Sequence, residues 1–231
     1  MEGTDPAIVM RLLNGYLDGV AKIIFSHDGT VMKVIGDAVH AIFGAPVSQK
    51  DHAARAVACA LDIDDFSEAF RADWIKQGVD LGATRIGINT GDAIIGNFGG
   101  ESYFDYSAYG DAVNLAARLE AANKVLGTRI CISESVVEHI EGFCGRPAGK
   151  LNIAGKSEPI MAFEPLRDER AKSEDIAQYR QAYEKMATGD EDAKSAFAAL
   201  MARMPEDPLV LLHLKRTLGG TCTDTITEVV K

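Results

Sequence analysis

Cysteine is scarce in this chain: Cys59, Cys131, Cys144 and Cys222 are the only four, far apart and without C-x-x-C spacing. Such a set suggests neither a zinc site nor a disulfide framework, and it suits a reducing, cytoplasmic setting. Long apolar runs are also missing. No stretch approaches the roughly 20 uninterrupted apolar residues that a helical membrane span requires. The N-terminus opens acidic and polar, without a signal-peptide pattern. Positive charge is in deficit, with 24 Lys and Arg against 34 Asp and Glu, a formal net charge of −10. A broad nucleic-acid surface needs a concentrated basic face and is excluded on that ground, whereas a nucleotide accompanied by a divalent cation remains compatible. What the chain has in quantity is apolar substance: 47% of its 231 residues are hydrophobic, enough for the core of one domain with a small appendage.

Periodicity divides the chain into elements. Asp5 to Phe25 carries a helical apolar stripe from Ile8 to Ile24, opened by Asp5 as N-cap and Pro6 in the first turn. Thr30 to Phe43 is rich in Val and Ile but broken by Gly36-Asp37, the pattern of a hairpin with Asp37 at its tip. Asp51 to about Gln77 returns to helical spacing. Strands are predicted over Thr84 to Thr90 and Ala93 to Gly96, followed by a glycine-bearing loop. A helix follows from Asp111 to Asn123, then a short strand over Arg129 to Ser133 and a short helix over Ser135 to Ile140. Gly149 to Pro165 reads as two strands around a turn at Gly155 to Glu158.

Past Pro165 the composition changes, through a charged stretch at Arg167 to Lys172, and a boundary is placed near Leu166. Residues 167–231 read as a helical extension, with helices at about Glu174 to Thr188, Glu191 to Met204 and Pro208 to Leu218. It is tetratricopeptide-like, one and a half helical hairpins. Too small to bury its apolar face alone, it is expected to pack on the main domain or a neighbouring subunit.

Three stretches carry chemistry. They are Lys33 to Asp37 with Phe43-Gly44-Ala45-Pro46, Tyr106 to Asp111 with Val113-Asn114 and Ala116 to Glu120, and Gly155 to Pro159. Together, in this order, they resemble the catalytic domain of class III adenylyl and guanylyl cyclases over residues 1–166. Asp51-His52-Ala53 and Ile88 to Gly91 match in between. Each piece alone is bland: a Gly-Asp turn, a surface Asn and Arg on an Ala-rich helix, a loop lysine. Gly155-Lys156-Ser157 is not a phosphate-binding P-loop, since Gly149 precedes it by the wrong spacing and Pro159 stands where a helix would grow.

The resemblance implies an α/β (α+β) fold of the ferredoxin-like palm type, with a mixed sheet and helices on one face. It implies conversion of ATP to 3′,5′-cyclic AMP and pyrophosphate, by attack of the ribose 3′ hydroxyl on the α-phosphate with two Mg²⁺ or Mn²⁺ ions. Asp37 matches a metal-binding aspartate, Asn114 the residue that orients the ribose, Arg118 the stabiliser of the pentavalent phosphorus, and Lys156 the ligand of the terminal phosphates. Lys33 and Ser107 match the two purine-selecting positions. A lysine can donate to adenine N1 and a hydroxyl can accept from the exocyclic amine, whereas guanylyl cyclases usually place Glu at the first position. Ser107 is similar to the class IIIb subgroup, several of whose members respond to bicarbonate. Family sites are assembled between chains, so a chain holding both halves implies a head-to-tail homodimer, with an upstream sensor domain as a further possibility.

The family domain begins with a strand carrying a first metal aspartate and a phosphate-holding turn, and neither is found here. Residues 1–5 read as the end of the following loop, Asp5 as a helix cap and Asp18 as a helical surface residue, so that one metal ligand, Asp37, is expected. Two functions therefore stand at this point: an adenylate cyclase, and a noncatalytic nucleotide-binding or dimerisation module. Guanylate cyclase is the nearer variant of the first.

Overall fold

The computed structural model describes the backbone of residues 5–230 and the side chains of 5–227. Residues 1–4, read above as the tail of a loop, lie outside that range. The fold is mixed α/β. Its contacts divide the chain into two compact units, one of residues up to Thr84 with Thr90–Asn114, the other of Arg85–Asn89 with the chain from Leu115 on.

The first unit contains α1 (Pro6–Ser26), the hairpin β1 (Thr30–Ile35) and β2 (Ala38–Ile42), α2 (His52–Lys76), and the strands β4 (Ile94–Gly99) and β5 (Phe104–Tyr109). Asp5 caps α1, its Oδ1 accepting from the Ala7 amide at 2.9 Å, and Asp18 is paired with Lys22 on the exposed face, as the sequence led one to expect for both. The two long helices meet where α1 has no side chain. A Cβ on Gly19 would lie 2.1 Å from Phe66, so only glycine admits that ring. Tyr16, Phe66, Phe70 and Trp74 continue the contact at centroid spacings of 5.6 to 6.4 Å, within the range of favourable aromatic pairs.

The second unit is built on a mixed five-stranded sheet in the order β3-β6-β8-β7-β9. Its strands are β3 (Ile86–Ile88), β6 (Ile130–Ser133), β7 (Gly145–Ile153), β8 (Ile160–Pro165) and β9 (Thr225–Val230). β3–β6 and β7–β9 are parallel, β6–β8 and β7–β8 antiparallel. The helix α3 (Asp111–Leu126), which begins in the first unit, sits directly on β3 in the second. A Cβ on Gly87 would come within 2.2 Å of the Ala116 carbonyl and the Glu120 amide. Buried Asn123 secures the same junction. Its Nδ2 donates to the carbonyls of Ile86 and Leu119, and its Oδ1 accepts from Thr128 at 2.7 Å.

Short helices α4 (Glu134–Val137) and α5 (Asp168–Ala171) precede α6 (Glu174–Ala187), α7 (Ala193–Arg203) and α8 (Pro208–Leu218). One buried cluster joins Leu119 and Leu126 of α3 with Leu151 of β7, Met186 of α6, Phe197 of α7, Leu209 of α8 and Ile226 of β9. Beneath it lies an ion-pair network. Arg146, its side chain wholly buried, donates to Glu164 at 2.7 Å and faces Asp207 at 2.8 Å, with its guanidinium 4.6 Å over the Tyr179 ring.

Two strands depart from the sequence reading. Phe104–Tyr109 was expected to be loop, and the C-terminal extension to be helical throughout. β5 instead pairs with β4 in full register, Ile94↔Tyr109 to Gly99↔Phe104. Thr225–Val230 forms a strand parallel to β7, closing that edge of the sheet. In both cases pairing with a partner strand satisfies backbone groups that the local sequence leaves undetermined.

Candidate active site

Asp37 occupies the tip of the first hairpin. Val34↔Val39 and Ile35↔Ala38 close a two-residue loop, and Gly36 at φ +64° supplies the left-handed conformation such loops need. The carboxylate is exposed.

Lys33 lies on β1 opposite His40, beyond an irregularity in register at Val31 to Lys33. Its Nζ donates to Asp105 Oδ2 on β5 at 2.5 Å, and that bond, with the carboxylate charge, raises the lysine above its ordinary value. His40 is pushed the other way, by burial first and by the Lys33 charge second. Ser107 is buried on β5, opposite Gly96. Strand alternation places Asp105 and Ser107 on the same side, with Phe104 and Tyr106 on the other, exposed side.

Asn114 and Arg118 stand on successive turns of α3, one face of one helix. Asn114 is exposed and Arg118 half-buried. The Arg118 guanidinium lies against the β7–β8 loop, its Nη1 3.5 Å from where a Cβ on Gly155 would be. Gly155 has φ +77°, and the amide of the next residue, half-buried Lys156, closes the turn on the Ile153 carbonyl at 3.0 Å. The left-handed glycine thus brings the lysine-bearing loop up to the arginine.

The structure therefore joins Arg118 to the loop of Lys156, and Lys33 to the strand of Ser107. Asp105 is the residue that sequence reading missed. Its signal, the two-residue spacing from Ser107, is meaningful only once 104–109 is known to be a strand. No group of three or more His, Cys, Asp or Glu side chains that could hold a metal ion occurs among the described residues. A single exposed carboxylate such as Asp37 suits a Mg²⁺ ion that keeps its waters and arrives on nucleotide phosphates, since that ion commonly takes one or two protein carboxylates. A cleft of about 450 Å³ between Arg129, Arg170 and Asp207 takes in none of these residues. None of the described helices is long and apolar enough to cross a membrane.

Residues 1–163 match the model of the adenylate and guanylate cyclase catalytic domain. The chain is 36% identical over 171 residues to adenylate cyclase 1 of Rhizobium meliloti (strain 1021), covering 74% of this chain but 26% of that protein. The crystal structure of the adenylyl cyclase CyaB from P. aeruginosa superposes at a TM-score of 0.67 with 32% identity, covering 74% of this chain and 89% of that one. The guanylyl cyclase Cya2 follows at 0.62 with 31% identity, covering 71% and 83%. The matched segments include the hairpin of Asp37, the α3 face of Asn114 and Arg118 and the β7–β8 loop of Lys156, and the chain belongs to the adenylate and guanylate cyclase catalytic domain family.

Proposed function

We propose that this chain is the catalytic domain of an adenylate cyclase, converting ATP to 3′,5′-cyclic AMP and pyrophosphate in nucleotide signalling inside the cell. The observation that carries the choice of base is Lys33, a charged donor tied to the strand of Ser107. Adenine offers an acceptor at N1 and a donor at its exocyclic amine; guanine offers donors at N1 and N2, which a lysine cannot accept. Lys33 donates to adenine N1 and the Ser107 hydroxyl accepts from the amine. Asn114 orients the ribose. Arg118 presents a planar charged donor to the oxygens of the phosphorus under attack, and Lys156, on the loop that the guanidinium meets at Gly155, holds the terminal phosphates. Asp37 would hold a Mg²⁺ or Mn²⁺ ion, which when bound neutralises phosphate charge and makes the 3′ hydroxyl a better nucleophile.

The working form is a head-to-tail homodimer, with Asp37 of one copy serving the nucleotide held by the other residues of its mate. Its support is an apolar surface on the hairpins: Ile94 and Phe104 are each 71% exposed and Tyr103 is 67% exposed. Patches of that kind mark surfaces of association.

A second reading is a nucleotide-binding or dimerisation module without turnover. It draws on Asp37 belonging to no group of three or more metal-ligating side chains among the described residues. Incubating the chain with ATP or GTP and Mn²⁺, and quantifying both cyclic nucleotides, separates the readings. Cyclic AMP well in excess of cyclic GMP supports the adenylate reading, and the reverse ratio makes it a guanylate cyclase. Saturable nucleotide binding with no cyclic product leaves the module.

A further inference from the structure

The family match ends at residue 163, yet the chain beyond it closes on the groups proposed to meet the phosphates. All of these contacts lie within the sheet unit. Helices α7 and α8 bury Phe197 and Leu209 in one cluster with Leu119 and Leu126 of α3, the helix of Arg118. After α8 the chain turns back, and β9 runs parallel to β7 from Lys150↔Thr225 through Leu151↔Ile226 to Ile153↔Val230. Ile153 is the residue whose carbonyl accepts from the Lys156 amide at 3.0 Å and so closes the lysine-bearing turn. The last pair of the added strand is therefore made at the root of that turn.

β9 is fastened at its start. Asp224, buried just before it, gives its carbonyl to the Lys150 amide at 2.9 Å. Its carboxylate faces the Lys150 ammonium at 3.3 Å and accepts from the Tyr183 hydroxyl of α6 at 3.4 Å. The carbonyls of Thr223 and Thr225, to either side, accept from Arg216 of α8 at 3.0 and 2.5 Å, so acceptors that an edge strand commonly leaves open are occupied. Ile226 is buried against Gly149, where a Cβ would lie 2.7 Å from the isoleucine Cδ1. A strand anchored in this way restrains the hairpin beside it. Less ordering of the β7–β8 turn is then left to be done when a charged ligand arrives.

We propose that β9 is a positioning strand for the triphosphate, holding the β7–β8 turn so that the Lys156 loop stays seated against the Arg118 guanidinium at Gly155. The C-terminal extension is on this reading part of the phosphate-binding machinery and not a separate binding module. The inference rests on the role proposed for Lys156, and deepens it. The only strand that β9 pairs with is β7, so its effect on a nucleotide should be confined to the phosphates that Lys156 holds.

The test is calorimetric titration of 3′-deoxy-ATP and 3′-deoxy-AMP in the presence of Mn²⁺. Neither can cyclise, and they differ only in the two terminal phosphates. The full chain would be compared with a chain ending at Thr227, with Lys156→Ala, and with the two changes combined. Ending at Thr227 removes the pair at Ile153 but keeps Asp224, Ile226 and the Arg216 contacts. Ordering a lysine-bearing turn on binding costs about as much as immobilising one or two long side chains, so the shortened chain should bind 3′-deoxy-ATP about 3- to 10-fold more weakly. Its affinity for 3′-deoxy-AMP should stay within about twofold of the parent, which also reports that it is folded. Lys156→Ala should weaken 3′-deoxy-ATP about 10- to 100-fold, the usual worth of a charged hydrogen bond, and shortening should then add less than about twofold. Amide hydrogen exchange of the full chain gives a measurement that needs no variant. The Lys156 amide, bonded to Ile153, should be protected along with that of Lys150, bonded to Asp224, and an unprotected Lys156 would overturn the proposal. Equal weakening of the two nucleotides on shortening, or a loss that persists undiminished in the Lys156→Ala background, would overturn it as well and leave β9 a stabilising edge. Unchanged binding of 3′-deoxy-ATP by the shortened chain, with Lys156→Ala weakened as expected, sinks this inference alone. Lys156→Ala binding 3′-deoxy-ATP as the parent does sinks the proposed role of Lys156 and this inference with it.

Discussion

The two units of the molecule differ in what they do with apolar and charged groups. In the unit of the five-stranded sheet, Leu119, Met186, Phe197 and Leu209 are fully removed from water, and even a guanidinium, that of Arg146, is enclosed. In the unit of the two hairpins, large apolar side chains such as Ile94, Phe104 and Ile35 stand mostly in solvent, and the ion pairs are at least partly exposed. Fully buried apolar and charged groups are therefore prominent in the sheet unit, while the hairpin unit carries Lys33, Ser107 and Asp37, the residues proposed above to meet a base and an ion. Polar groups for recognition must remain reachable, and elements that present them cannot also be sealed in a core.

The strongest way to break this comparison is Asp207→Ala. Asp207 is buried, accepts from the amides of Leu209 and Val210 at the start of α8, and faces both Arg146 and Arg170. Its removal leaves a buried guanidinium with one carboxylate fewer and should cost about 3–5 kcal/mol in denaturant unfolding, the scale for breaking a buried pair from one side. A loss below about 1 kcal/mol, the range of exposed pairs, would mean that the network is solvated and the contrast between the units false.

Arg118→Ala should do the opposite, sparing stability while lowering cyclic AMP formation by about 10²–10³, the usual consequence of losing a donor aimed at the transition state. Melting temperature and turnover measured on one preparation separate the two effects. An unaltered rate would remove Arg118 from the chemistry.

Acid should act on the sheet unit through His213. Burial first, then the Arg216 charge, lowers its pKa to about 3, well below the 6.5 of a free imidazole. The folded state thus disfavours the protonated ring, and between pH 6.5 and about 3 the unfolded chain binds the extra proton. Stability from this group is fully present above pH 6.5 and is lost progressively as the pH falls through that window. The expected magnitude is a few kcal/mol at most. Denaturant unfolding at pH 7 and pH 4.5, for the parent and for His213→Phe, checks it, because the parent should lose more than the variant. Smallest is Asp5→Ala, which removes one exposed helix cap in the hairpin unit and should cost about 1 kcal/mol.

The two units were also unequally legible. Helices α1, α2, α3, α6, α7 and α8 follow from apolar spacing and end signals within a turn or two of where they stand, and the Gly36-Asp37 hairpin follows from its turn residues. Their apolar periodicity and end signals are local in sequence, so the pattern is legible there. β5 was hidden because Phe104 to Tyr109 is bracketed by Gly99-Gly100 and Gly110, punctuation that reads as loop until β4 supplies the pairing. β9 was hidden because its partner β7 lies some 75 residues earlier, as in Lys150↔Thr225, and a parallel pair leaves no turn signature between its strands.

Within the site, the residue types and their spacing along α3, the hairpin tip and the lysine loop were set by the amino-acid sequence alone, since turns and helix faces obey short-range sterics and periodicity. Tertiary structure decided which of them meet. It laid the Arg118 guanidinium on Gly155, sealed Arg146 between Glu164 and Asp207, and delivered Asp105 to Lys33. Those contacts join segments tens of residues apart. They exist only because the packing of strands and helices makes the entropy of closing such long loops affordable, and no local pattern records that balance.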